Sequence, residues 1–241
     1  MMKVERKVAP KRSDNKKRRK QSQFDYMEVY RQLRTNIEYS SFNKDIKVVN
    51  ITSSNPAEGK SSVASNLAMV AVAKYKKVLL IDCDLRKPVQ HKIFKASNKL
   101  GVSNLMKNMN ELDIDNEAYF HKFKDSSSEG KLYLLTSGKS VPNPQELLAS
   151  ERFKEMINRF REKFDYIVID CPPLNAVADA VPVSSIADGT VFVTSARDTD
   201  KRDAKNALTM LQRSGANVLG CVLTKVDTTT RSYYSYYGNY E

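Results

Sequence analysis

Short runs of apolar residues, too uniform to leave one face wet, alternate with helical segments along most of this chain. The runs Lys47–Thr52, Val78–Asp82, Leu132–Leu135, Tyr166–Asp170, Thr190–Thr194 and Val218–Thr224 read as strands. Helices are expected at Ser61–Lys74, Pro144–Lys163 and Lys201–Ser214, with a shorter one near Asp179–Ile186. Strands buried on both faces need helices on both sides, and parallel neighbours need right-handed crossovers. The expected architecture is therefore α/β, a mostly parallel sheet flanked by helices. A single domain is expected, because no Gly/Pro/Ser-rich linker divides the body. Asn143 as N-cap, Pro144 at the first helical position and Glu146 at the third mark a helix start. Ahead of the first strand, Phe24–Ser41 reads as a helix with Tyr26, Val29, Tyr30, Leu33 and Ile37 on one face. Lys107–Glu129 is polar and irregular and reads as a surface excursion.

The loop between the first strand and the first crossover helix carries chemistry. It reads Ser54-Asn-Pro56-Ala-Glu58-Gly59-Lys60-Ser61-Ser62, a phosphate-loop pattern with serine in place of the first glycine. In a strand–loop–helix setting, backbone N–H groups and the helix dipole receive phosphate oxygens. Lys60 is expected to bridge the β- and γ-phosphates, and the Ser61 hydroxyl to ligate Mg²⁺. Two buried strands end in acids, at Asp82-Cys-Asp84-Leu-Arg86 and at Asp170-Cys-Pro-Pro173. Parallel α/β sheets bind ligands at that carboxyl edge, so Asp82 and Asp170 are candidates to meet the same cation. These elements predict a P-loop NTPase-like fold that binds a nucleotide.

Composition narrows the rest. The 241 residues carry a net charge of +12, which by itself suggests a nucleic-acid partner. Residues 1–20, however, hold ten Lys/Arg and two acids, so two-thirds of the charge sits on a polybasic arm. An arm so poor in apolar residues is expected to be disordered, with an anionic membrane surface as a better candidate partner than nucleic acid. No apolar run approaches the ~18 residues that span a bilayer. Cys83, Cys171 and Cys221 lack metal-ligand spacing and suggest a reducing, cytoplasmic setting.

Taken together these motifs resemble the bacterial tyrosine kinases of the capsule and exopolysaccharide type, in a split form without a transmembrane activator. Three nucleotide motifs of that family are matched at Ser54–Ser61, Val78–Arg86 and Ile167–Pro173. Two further marks lie at the ends. Tyr233, Tyr234, Tyr236, Tyr237 and Tyr240 crowd the last residues, like the cluster these kinases autophosphorylate. Glu28, Arg31 and Arg34 match the family's E-x-x-R-x-x-R self-association motif. The resemblance implies ATP and Mg²⁺ as cofactors, with Ser61, Asp82 and Asp170 on the metal. It implies Asp84 at the incoming tyrosine hydroxyl, and places Arg86 in the catalytic group. The cofactor-binding set is Ser54, Pro56, Glu58, Gly59, Lys60, Ser61, Ser62 and Asp227. A ring-like homo-oligomer, phosphorylation in trans, a separate membrane activator or polysaccharide co-polymerase and a cognate phosphotyrosine phosphatase are implied as partners. The inner face of the membrane is the implied place of work. The implied organisation is an arm at 1–22, a kinase domain at 23–227 and a tyrosine-rich tail at 228–241.

Competing readings are a partitioning or septum-positioning ATPase, a GTP-binding switch and a nucleotide-dependent scaffold. The first expects a lysine near the start of the loop, where Asn55 stands. The second is suggested by Thr224-Lys225-Val226-Asp227, which resembles a guanine-reading motif.

Overall fold

A computed structural model describes residues 13–40, 45–109, 113–124 and 128–227. The elements run α1 (Ser13–Tyr39), β1 (Val48–Ser53), α2 (Lys60–Ala71), β2 (Lys77–Asp82), α3 (Gln90–Ile93) and α4 (Val102–Leu105). They continue through β3 (Phe120–Lys124), β4 (Lys131–Leu135), α5 (Pro144–Ala149), α6 (Glu151–Lys163) and β5 (Tyr166–Asp170). The last are α7 (Ala180–Ile186), β6 (Gly189–Ser195), α8 (Lys201–Arg213) and β7 (Val218–Thr224).

The strands form one seven-stranded sheet in the order β3-β4-β2-β5-β1-β6-β7. Only the β3–β4 pairing is antiparallel; the other five are parallel, as expected of strands whose two faces are both buried. β1 and β5 are buried at every position, whereas β7, at the sheet's edge, is partly exposed throughout. Phe153, Met156, Ile157 and Phe160 of α6 fill the core on one face, and α2 with the inner side of α1 fills the other. Because β5 is inserted between β1 and β2, its last residue, Asp170, lies beside Asp82 in register. The loop after β1 opens at the same edge.

Five expectations need correction. The stretch Lys107–Glu129 contains β3, an edge strand held by buried Phe120 on one face and partly buried Phe123 on the other, with Lys122 and Lys124 exposed. The long helix expected at Pro144–Lys163 breaks at Ser150, whose extended backbone starts a new helix and whose Oγ accepts from the Phe153 N–H at 3.2 Å. Asn143 caps nothing with its side chain; its amide donates to the Glu146 carboxylate at 3.2 Å instead. On α1, Tyr30 and Ile37 are buried but Tyr26 and Val29 are 48 % and 60 % exposed, so the buried stripe is narrower than five residues. The helix begins at Ser13, ahead of the expected Phe24, and so passes through residue 22. The arm's residues 1–12 and the whole tyrosine cluster lie outside the described residues. Among the described residues, no helix is long and apolar enough to cross a membrane.

Candidate active site

The phosphate loop is held in shape by a carboxylate. Glu58 is 2 % exposed; it accepts from Ser54 Oγ at 2.7 Å, from the Asn55 N–H at 2.9 Å and from Thr199 Oγ1. Its own carbonyl accepts from Thr224 Oγ1 at 2.6 Å, tying the loop to the end of β7. Ser54, at the position of the missing first glycine, thus closes the loop with its side chain. Gly59 has φ +92°, a left-handed conformation that disfavours a side chain, and a Cβ there would meet Thr224 Cγ2 at 3.4 Å. Ala57 adopts φ +64° without that freedom. Beyond Gly59 the twelve-residue α2 begins at Lys60, presenting unpaired N–H groups of its first turn to the sheet's carboxyl edge.

The Lys60 ammonium sits among acids. Its Nζ donates to Asp84 Oδ2 at 3.0 Å, to Asp170 Oδ1 at 3.3 Å and to Ser61 Oγ at 3.2 Å. Asp82, also fully buried, accepts from the N–H groups of Val89 and Gln90 at 3.1 and 3.0 Å and from Asp84 N–H at 3.2 Å. Three carboxylates therefore face one ammonium. Burial, then the neighbouring Asp170, pushes Asp82 up to about 7; burial likewise raises Asp170 in spite of Lys60. Burial works against the Lys60 charge, yet Asp170 and Asp84 more than offset it and its pKa rises.

The expected residues divide into three groups. Ser54, Glu58, Gly59, Lys60, Ser61, Asp82, Asp84 and Asp170 converge on this edge. Arg86 does not join Lys60; its guanidinium makes a two-pronged pair with buried Asp179, at 2.7 and 3.1 Å. Asp227 lies apart and exposed, 3.5 Å from Arg197. Asn55 is taken up by Asp203, its amide donating at 2.9 Å. On α1, Glu28 and Arg31 pair with each other on the exposed side at 2.9 Å, while Arg34 turns inward and donates to the Val70 carbonyl at 3.2 Å. The self-association motif is thus split between two sides of its helix.

Sequence reading missed Gln90, Thr199, Asp179 and Thr224. Gln90 is fully buried, and its amide donates to Asp170 Oδ2 at 2.8 Å and to the Ser61 carbonyl at 3.0 Å. No spacing rule marks it, because the short α3 folds back on the strand end. Thr224 was in view only as part of a base-reading motif, and its role in bracing the loop needed the β7 register.

The oxygen donors fit a hard divalent cation. Among the described residues no three acids, imidazoles or thiols close into a preformed cage. Mg²⁺ does not need one, since it uses one or two carboxylates together with phosphates and water. The excess of buried carboxylate over ammonium leaves room for its charge.

Comparison with known proteins agrees with this geometry. Residues 46–199 match the family model described as AAA domain. The tyrosine-protein kinase YwqD of Bacillus subtilis is 40 % identical over 88 % of this chain and 86 % of its own length. The tyrosine-protein kinase CpsD of Streptococcus pneumoniae is 35 % identical over 88 % and 91 %. Among solved structures, the chimerical protein CapA2B2 superposes with a TM-score of 0.72 at 33 % identity, covering 81 % of this chain and 83 % of that one.

Proposed function

The chain belongs to the bacterial tyrosine-protein kinases, and from that premise we propose that it transfers the γ-phosphate of ATP to the tyrosines of its own tail. The observation that carries the proposal is the Lys60 ammonium, held 3.0 and 3.3 Å from Asp84 and Asp170 at the start of α2. A lysine so placed can leave its acids for a phosphate without crossing a barrier of bulk water. Mg²⁺, when bound through Ser61, Asp82 and Asp170, neutralises the charge that builds on the transferring phosphoryl group. The α2 N–H groups and Lys60 hold the phosphates, and Glu58 keeps the loop open to receive them. Asp84, the least buried of the three acids, orients the tyrosine hydroxyl and accepts its proton. Arg86, locked to Asp179, fixes the strand-end turn that carries Asp84.

In this reading residues 1–22 are an arm, 23–227 the kinase domain and 228–241 the substrate tail. Tail tyrosines 233, 234, 236, 237 and 240 enter a neighbouring copy's site in a ring-like oligomer. The exposed Glu28 and Arg31 contribute its contact surface, with Arg34 positioning their helix. A separate membrane activator, a phosphotyrosine phosphatase and capsule or exopolysaccharide synthesis complete the proposal, with the basic arm facing anionic lipid at the inner membrane surface. The test is phosphotyrosine mapping by mass spectrometry after incubation with Mg·ATP and an activator segment. Phosphate on the tail cluster, absent from Lys60→Met, is the expected result; an unmodified tail with a competent activator present overturns the reading.

A further inference from the structure

We propose that Gln90 is a positioning residue that sets the two strand-end aspartates for a divalent cation. The inference rests on the nucleotide site proposed above and adds a member that none of its sequence motifs contains.

The residue sits at a junction. Its backbone N–H donates to Asp82 Oδ2 at 3.0 Å, and its side-chain amide donates to Asp170 Oδ2 at 2.8 Å and to the Ser61 carbonyl at 3.0 Å. One residue therefore touches both aspartates expected to hold the cation and, through the Ser61 backbone carbonyl, the serine whose hydroxyl is expected there too. The two oxygens of Asp170 are also sorted. Oδ1 faces Lys60 at 3.3 Å, whereas Oδ2 is taken by Gln90. When Lys60 turns to a phosphate, Oδ1 is released and Oδ2 stays fixed, so the carboxylate keeps its plane instead of swinging. Outer donors that fix a ligating carboxylate in this way change cation affinity by roughly ten-fold or more when removed.

A second observation points the same way. Gln90 is fully buried, yet its carbonyl Oε1 has no hydrogen-bond partner among the described residues. A buried orphan acceptor costs about 1–3 kcal/mol and calls for a donor. Mg²⁺ keeps several of its waters when it binds. A water carried in with the cation would supply the donor that Oε1 lacks.

The test uses the full chain, a non-hydrolysable ATP analogue and calorimetric titration with and without Mg²⁺. Gln90→Met keeps length and volume and removes both the donor and the acceptor. Its expected result is unchanged analogue affinity without Mg²⁺ and a roughly ten-fold smaller enhancement when Mg²⁺ is added. An enhancement equal to wild type, or an equal loss with and without Mg²⁺, overturns the inference and leaves the nucleotide site standing. A wild type that binds the analogue without any Mg²⁺ enhancement overturns the cation site itself. Gln90→Glu covers the case in which the methionine variant does not fold. A third carboxylate facing the cation should make Mg²⁺ alone raise its Tm by more than it raises that of wild type. A rise equal to wild type in that variant sinks the proposal.

Discussion

Carboxylates at the two ends of the parallel sheet are treated in opposite ways. At the amino-terminal edge, just before β6, Asp188 Oδ2 accepts from Arg161 at 2.8 Å and from the N–H groups of Val48 and Lys47 at 2.7 and 3.0 Å. Burial alone would raise its pKa, but Arg161 and these amides hold it below the usual carboxylate range. At the carboxyl edge, Asp84 and Asp170 share the single ammonium of Lys60, and Asp82 stands beside Asp170 with only backbone N–H donors. Burial and mutual repulsion lift Asp82 and Asp170 instead. One end spends its charges on joining β1, β6 and α6. The other holds negative charge that only an incoming cation and nucleotide complete, which is what a site for phosphoryl transfer requires.

The largest expected effect comes from removing the one ammonium at the upper end. Lys60→Met should lower tyrosine phosphorylation by on the order of 10³-fold, since charge stabilisation of the transferring group is lost. Radiolabel incorporation into tyrosine measures it, and a loss under ten-fold would break the contrast between the two edges. At the lower end, Asp188→Ala should leave phosphorylation at low temperature near wild type but cost about 2 kcal/mol of stability. The N–H groups of Val48 and Lys47 then lose their acceptor while still partly buried. Urea unfolding checks the stability and radiolabel assay the activity; a variant as stable as wild type would show that the lower edge is not the joint inferred.

Proton linkage separates the same two ends without mutation. Asp82 and Asp170 have raised pKa values in the folded protein, so the folded state binds more protons than the unfolded chain between about pH 4 and pH 7. Stability must therefore fall as pH rises through that window. Asp188, with a lowered value, adds stability that is present at neutral pH and is lost only on acidification below the ordinary carboxylate range. The nucleotide-free protein should melt a few degrees lower near pH 7.5 than near pH 5, at roughly 2–4 °C per kcal/mol for a chain of this size. Mg²⁺ with nucleotide should flatten the slope. A melting temperature that climbs with pH in the free protein would contradict the charge imbalance.

How much of this was legible in the sequence follows the range of the interactions. Strand and crossover positions depend on local apolar runs, so β5 and β7 were placed at their observed limits and the phosphate loop with its two acids was found directly. The edge strand β3 was missed because it shows a single buried phenylalanine among charged neighbours. Ser150 was missed because a serine inside an amphipathic pattern does not announce that it restarts the helix. Gln90 and Thr224 owe their roles to partners far along the chain, Asp170 and Glu58, and no spacing rule connects them. Asp188 illustrates the same limit: a lone acid before a strand looks like a turn former until Arg161 is seen to meet it.

The smallest expected effect is the most selective, because it changes the shape of a charge and keeps its sign. Arg161→Lys retains a cation beside Asp188 but removes the second prong, in which the guanidinium also donates to the Ile186 carbonyl at 3.0 Å. Asp188 keeps both backbone donors, and the pair is about a quarter exposed on each side, so water can replace what is lost. The cost should be near 0.5 kcal/mol, within the range of partly exposed ion pairs. Lys60→Arg is the matching exchange at the other edge. There a planar fork must fit among three buried acids and still reach a phosphate as a point charge. If urea unfolding gives the small cost for Arg161→Lys while radiolabel incorporation falls by more than ten-fold in Lys60→Arg, the two edges differ in kind. Equal tolerance of both exchanges would mean that each aspartate cluster needs only a positive charge nearby, and that the upper one is no more shaped for a ligand than the lower.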